Sequence, residues 1–253
     1  MMTAVPKGFP TRDDLSFVDG VVVRRHDNAA RETVEWIHRF LAQLAFNAPK
    51  PIPYFDGASV AVIDGVVCSA LSYVEGESVG WSAQPSMFDL GVFLATFHEA
   101  AAAIEMDTQQ SPVFPVVVAG HADRPRHVIH GDPTNHNVLA AGQPSKPCGI
   151  IDFGNAFVDV PLFDIGCALW RSGRPSQGVH EFDPDRIAAY VDGYASVHPL
   201  SADDRVAVVA YLRARGVQII AKQAARGVTD DGPRRKLDWL ARHHDRLVSV
   251  LIP

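Results

Sequence analysis

Long apolar runs are missing from this chain of 253 residues, and no uninterrupted one reaches the length needed to span a bilayer. The first stretch, MMTAVPKGFPTRDD, has no apolar segment of the kind a secretory signal carries. Cysteine is scarce. Cys68, Cys148 and Cys167 are far apart, odd in number and without metal-ligand spacing, so they read as free thiols in a reducing compartment. The expectation is a soluble, cytoplasmic protein with no membrane partner. Excess basic charge is missing too. A formal net charge of −6 argues against the positive footprint that nucleic-acid binding needs, and sits better with a neutral or cationic small molecule. What is present is ordinary: 47% hydrophobic and 21% charged residues exclude wholesale disorder, and the length suits one large domain or two small ones.

The pattern changes along the chain. LSFVDGVVVRR reads as two strands joined at Asp19-Gly20, a pair suited to the positive φ angles of a tight hairpin. From about Asn28 to Phe46 apolar Val34, Ile37, Leu41 and Leu44 recur at helical spacing. Three prolines in NAPKPIPYFDG break that helix, and SVAVIDGVVCSALSYV gives a second strand pair around Asp64-Gly65. Beyond Gly76, Ser86 with Asp89 opens a helix to about Met106, Asp183-Pro184 another, Ser201 with Asp204 a longer one, and Gly232-Pro233 a last. A β-rich part, residues 1–75, followed by a larger helical part, 76–253, is a two-lobed α+β plan with its cleft near YVEGES, Tyr73 to Ser78.

Between short β segments lie VIHGDPTNHNVL and CGIIDFG. His-Gly-Asp alone is a common turn; the combination at fixed spacing points further. Phosphoryl transfer needs a carboxylate to accept or orient the proton of the attacking hydroxyl, and oxygen ligands to hold Mg²⁺ against nucleotide phosphates. Asp132, Asn137 and Asp152 supply that set. Asp152 is expected to end an apolar strand, with Gly154 turning the chain away.

These residues resemble the aminoglycoside phosphotransferase and choline kinase-like family, relatives of protein kinases, marked by H-G-D-x-x-x-x-N and then an apolar strand ending in Asp. Here the matches are His130-Gly131-Asp132, Asn137-Val138-Leu139 and Ile150-Ile151-Asp152-Phe153-Gly154. The resemblance implies a protein kinase-like two-lobed fold with a shortened N-lobe, and Mg²⁺-dependent transfer from ATP or GTP to a hydroxylated small-molecule acceptor. It implies Asp132 as catalytic base, Asn137 and Asp152 as metal ligands, and His130 as a structural member of the catalytic loop. It also implies that Asp164, in VPLFDIGCALW, braces that loop from a buried helix start, and that adenine lies against Ser72, Tyr73 and Val74. LATFHEA around His98 and VDGYASVHPLSADD look like family segments too.

The small lobe departs from the pattern. Kinase-like folds hold the nucleotide phosphates with a strand lysine paired to a helix glutamate. Lys7, Lys50, Lys146, Lys222 and Lys236 are the only lysines, and none lies in VVVRR. Arg24 is the expected stand-in, chemically sensible but not equivalent, with Arg25 on the opposite face. Glu35 is its expected helix partner, although it points largely away from the apolar stripe. No glycine-rich loop exists, so PKGFPTRDD would cover the phosphates or the site stays open. These departures leave a competing reading, a kinase-like nucleotide-binding module that transfers nothing. A metal-dependent hydrolase using His130, Asp132 and His136 leaves Asp152 unexplained. Elsewhere Trp81 and Trp170 are expected in the core and Arg234, Arg235 and Lys236 on a solvated face. His136 is expected in a solvated loop, His243 and His244 side by side on a helix. Glu181, Asp183, Asp185, Asp192, Asp203 and Asp204 are expected mainly as caps and surface.

Overall fold

The computed structural model describes residues 13–27, 29–54, 57–81, 85–108, 118 and 124–252. Of PKGFPTRDD only Asp13 and Asp14 fall among the described residues. Strands β1 (Leu15–Val18) and β2 (Val21–His26) meet at Asp19-Gly20, where both φ angles are positive, 50° and 84°. The same turn, with φ of 51° and 78° at Asp64-Gly65, joins β3 (Val60–Ile63) to β4 (Val66–Ser72). Such turns match the twist of the strands they join. The four strands form one antiparallel sheet in the order β1-β2-β4-β3. Helix α1 (Arg31–Gln43) buries Val34, Ile37 and Leu41, with Leu44 just past its end.

β5 (Glu77–Ser78) precedes α2 (Met87–Ala102), where Ser86 Oγ accepts from the Asp89 N–H. Then come β6 (His127–Ile129), β7 (Val138–Ala141), β8 (Lys146–Ile150), a 3-10 turn (Phe153–Asn155) and β9 (Phe157–Asp159). β5, β7 and β8 form a three-stranded sheet, and β6 pairs with β9. The rest is helical: α3 (Leu162–Ser172), α4 (Pro184–Val197), α5 (Ala202–Ala225), α6 (Gly232–Arg242) and α7 (His244–Leu251). Asp183 caps α4, and Ser201 with Asp204 forms a full capping box on α5. The architecture is α+β, with the four-stranded sheet near the N-terminal end and five consecutive helices, α3 to α7, at the C-terminal end. Among the described residues no helix is long and apolar enough to cross a membrane.

Helix α3 runs buried along nearly its whole length, and α5 crosses it closely. Two glycines permit this approach: a Cβ on Gly166 would lie 2.7 Å from the Tyr211 carbonyl carbon, and one on Gly216 2.6 Å from the Trp170 ring. That closeness later decides which side chains of α5 reach the site.

Several expectations are corrected. The strand leading to Asp152 stops at Ile150, and the sharp turn is made by Asp152 itself, at φ 65°, not by Gly154. Trp170 is core, but Trp81 is only half-buried and stands beneath the guanidinium groups of Arg171 and Arg174. Lys236 leaves the solvated face and lies over the Trp170 ring at 5.0 Å. His243 caps α6 and α7, stacked on Trp239, and His244 begins α7. Among the six scattered acids, Asp183 and Asp204 act as caps and Asp192 pairs with Arg205 at 2.7 Å.

Candidate active site

The loop between β6 and β7 carries His130, Asp132 and Asn137. Gly131 sits at φ 78°, and a Cβ there would lie 2.0 Å from the Asn155 carbonyl oxygen, so only glycine fits between His130 and Asp132. The fully buried Asp164, in the first turn of α3, takes the loop's backbone in both hands: Oδ2 accepts from the His130 N–H at 2.7 Å and Oδ1 from the Gly131 N–H at 2.8 Å. His98 Nε2 reaches the same carboxylate at 3.2 Å, and His98 Nδ1 meets the Tyr194 hydroxyl at 2.8 Å. A tautomer protonated at Nε2 satisfies both contacts.

His130 is buried and performs a similar service. Its Nε2 lies 2.9 Å from the Ile151 carbonyl, and its Nδ1 accepts from the Asp132 N–H at 3.2 Å. It thereby ties the loop to the end of β8, the segment that delivers Asp152. Asn137 spans the loop, donating through Nδ2 to the Asp132 carbonyl at 2.9 Å, which leaves its Oδ1 as the amide's acceptor.

Asp132 points its Oδ1 at Arg215 Nη2, 2.7 Å away on α5. Nothing in the sequence marked Arg215. It arrives because Gly166 and Gly216 let α5 approach α3. Asp152 holds a left-handed conformation costly for a non-glycine residue, and such strain concentrates at functional positions. Its Oδ1 accepts from Arg24 Nη1 at 2.6 Å, and Arg24 Nε lies 3.8 Å from Asp14. The Arg24 side chain therefore reaches from the four-stranded sheet to the segment after β8. Glu35, expected beside it, is bound instead to Arg31 one turn earlier, at 2.7 Å. The expected pairing with Arg24 is not seen because Glu35 lies off the buried stripe of α1. Ser72 closes β4, exchanging hydrogen bonds with Lys50; Tyr73 donates its N–H to the Gly20 carbonyl; Val74 is buried.

His136 is not merely solvated: its Nε2 contacts an Arg171 N–H. Burial first, and then Arg171, lower its pKa. Among the described residues no three His, Cys, Asp or Glu side chains cluster tightly enough to hold a metal by themselves. The donors present are hard oxygens, the Asp152 carboxylate and the Asn137 amide. That set fits Mg²⁺, which takes one or two carboxylates and completes its shell from phosphates and water.

The chain shares its fold with kinase-like phosphotransferases. It superposes on a microcompartment-associated aminopropanol kinase with a TM-score of 0.69 and 18% identity, covering 92% of this chain and 87% of that one. Against the GDP complex of aminoglycoside 2'-phosphotransferase-IIIa the TM-score is 0.65 at 15% identity, over 97% of this chain and 94% of that one. Residues 115–200, the segment that holds the His130-Gly131-Asp132, Asn137 and Asp152 motif, match the model of the phosphotransferase enzyme family (APH). Similar curated proteins include the homoserine kinases of Methylobacillus glycogenes and Methylocella silvestris. The first is 24% identical over 70% of this chain and 63% of its own length; the second is 28% identical over 66% and 60%. The chain thus spans less than two thirds of the length of these relatives.

Proposed function

We propose that this protein is a small-molecule kinase that transfers the γ-phosphoryl group of ATP or GTP to a hydroxyl of its acceptor. The observation that carries the reading is Asp132, on a loop clamped through two backbone N–H groups by buried Asp164, with Asn137 bonded to its carbonyl and accepting in turn from the Ile151 N–H next to Asp152. Asp132 orients the acceptor hydroxyl and takes its proton as the oxygen bonds to γ-phosphorus; the bond from that phosphorus to the bridging β–γ oxygen breaks, and the nucleoside diphosphate leaves. Asn137 and Asp152 would hold Mg²⁺, which when bound offsets the charge of the nucleotide phosphates. Arg24 steadies those phosphates after parting from Asp152, and adenine or guanine rests against Ser72, Tyr73 and Val74. His130 keeps the loop in shape. Residues 1–75 serve as the nucleotide lobe and 76–253 as the lobe of the loop and acceptor. The homoserine kinases among the relatives support a hydroxylated small molecule as acceptor.

The competing reading, a nucleotide-binding module that transfers nothing, draws on the Arg24–Asp152 contact at 2.6 Å, which competes for the carboxylate that would take a metal. Consumption of ATP and GTP with Mg²⁺, measured against hydroxylated small molecules, separates the two. Acceptor-dependent turnover is expected, reduced roughly 10²- to 10⁴-fold in Asp132→Ala, the range for losing a positioned base. Nucleotide binding by both proteins without turnover in either would establish the non-transferring module.

A further inference from the structure

Arg171 and Arg174 at the end of α3, with Lys236 on α6, form a cluster of cations that the proposed reaction does not use. Both guanidinium groups lie over the Trp81 ring, 5.8 Å and 4.9 Å from its centroid. Arg174 is only 7% exposed. Its Nη1 donates to the Val179 carbonyl at 2.6 Å, but its Nε is buried without a partner. The Arg171 Nε and the Trp81 Nε1 are likewise buried and unpartnered. Among the described residues no carboxylate lies within salt-bridge distance of Arg171, Arg174 or Lys236. The acids that act on them electrostatically are engaged elsewhere: Asp132 with Arg215, and Asp230 with the Gly232 N–H at 2.8 Å and Gln223.

Buried donors left open are costly, and buried cations more so, unless an anion completes them. All the open atoms named here are N–H donors, so the missing partner is an acceptor. The cluster adjoins the catalytic loop, since Arg171 contacts His136 and is acted on by the charge of Asp132. Burial first, and then the nearby Arg174, bring the Lys236 ammonium down to about 8. A bound anion would favour the charged ammonium and so oppose this shift.

We propose that Arg171, Arg174 and Lys236, with the indole N–H of Trp81, form a subsite for a compact anionic group on the acceptor, a carboxylate or phosphate set a short chain away from the reacting hydroxyl. This rests on Asp132 being the base of a hydroxyl-phosphorylating site. The net charge of −6, which sits better with neutral or cationic ligands, is an average over the chain, whereas these cations are gathered in one place.

The test is equilibrium binding by ligand-observed NMR to the full chain, using matched pairs: 4-hydroxybutyrate with 4-hydroxybutyramide, and glycerol 3-phosphate with glycerol. Turnover with ATP and Mg²⁺ is measured in parallel. At least one anion should bind roughly ten- to a hundredfold more tightly than its neutral partner, the range for charge-assisted hydrogen bonds. That preference should shrink about tenfold in Arg174→Gln and in Lys236→Gln, the second variant serving if the buried arginine proves necessary for folding. The pair that responds distinguishes carboxylate from phosphate. Equal binding within both pairs, or a preference unchanged in folded Lys236→Gln and Arg171→Gln, overturns the subsite. Cluster-dependent anion binding with no turnover counts against the phosphotransfer reading and leaves the anion site standing. Turnover confined to neutral or cationic acceptors does the reverse.

Discussion

Asp132, Asp152 and Asp164 each face an internal donor, whereas Arg171, Arg174 and Lys236 face no internal carboxylate among the described residues. The acids are held by residues distant in sequence, Arg215, Arg24 and His98, and two of the three contacts are 2.7 Å or shorter. The cations have aromatic rings and carbonyls for company. In physical terms the first region is complete as it stands and the second is not. Internal pairing fixes where a carboxylate points before any ligand arrives, which is what a base requires. Cations left open have their pairing completed from outside, which is what recognition requires. The two regions adjoin at His136, the loop residue that meets Arg171.

If the acids are held by their partners, removing the clamp should have the largest structural effect. Asp164→Ala would strand the His130 and Gly131 N–H groups and the His98 ring in a fully buried place. Urea unfolding should show a loss of about 3–5 kcal/mol, the range for breaking a buried charged network. A loss under about 1 kcal/mol would mean that the loop keeps its shape without the clamp.

Arg215 tests the same idea at the proposed base. As a positioning residue it should affect kcat more than KM, and Arg215→Ala should lower kcat roughly ten- to a hundredfold. Arg215→Lys, which keeps a cation facing Asp132, should recover part of that loss. Equal damage from Ala and Lys, or an effect confined to KM, would mean that the contact merely packs α5 against the loop.

Arg215 also shows where sequence reasoning stopped. The hairpins at Asp19-Gly20 and Asp64-Gly65 and the caps at Ser86, Asp183 and Ser201 were legible because each signal lies within a few neighbouring residues. The stretch from His130 to Asp152 was legible because its residues sit at fixed spacing around two short strands. Arg215 is 83 positions from Asp132 and depends on how closely α3 and α5 cross, a consequence of Gly166 and Gly216 that no local pattern reveals. Glu35 failed as a partner for Arg24 because it lies off the buried stripe of α1, where Arg31, one helical turn away, binds it instead. Trp81 and Lys236 were misplaced for a common reason: an aromatic ring and a long amphipathic side chain can each be half-buried, and composition does not say which half.

Protonation offers the mildest way to disturb the paired region. His26, on β2 beside Arg24, and His127, on β6 against the His98 ring, both have their pKa lowered to about 4. Burial is the main cause for each, followed by Arg24 for His26 and His98 for His127. A histidine that is neutral in the fold but titrates near 6.5 when unfolded takes up its proton more readily in the unfolded chain. Its contribution is therefore full above about 6.5 and is lost as pH falls toward about 4. Both rings keep some solvent contact, so the combined loss should be only about 1–3 kcal/mol after screening. Carboxylates begin to titrate at the low end of this window, and the variant His127→Gln separates them from the histidine. Urea unfolding at pH 7 and pH 4.5 should show a smaller difference for His127→Gln than for the parent chain. Identical differences would mean that His127 takes up its proton in the fold as easily as outside it, and that the region around His98 tolerates a second charge.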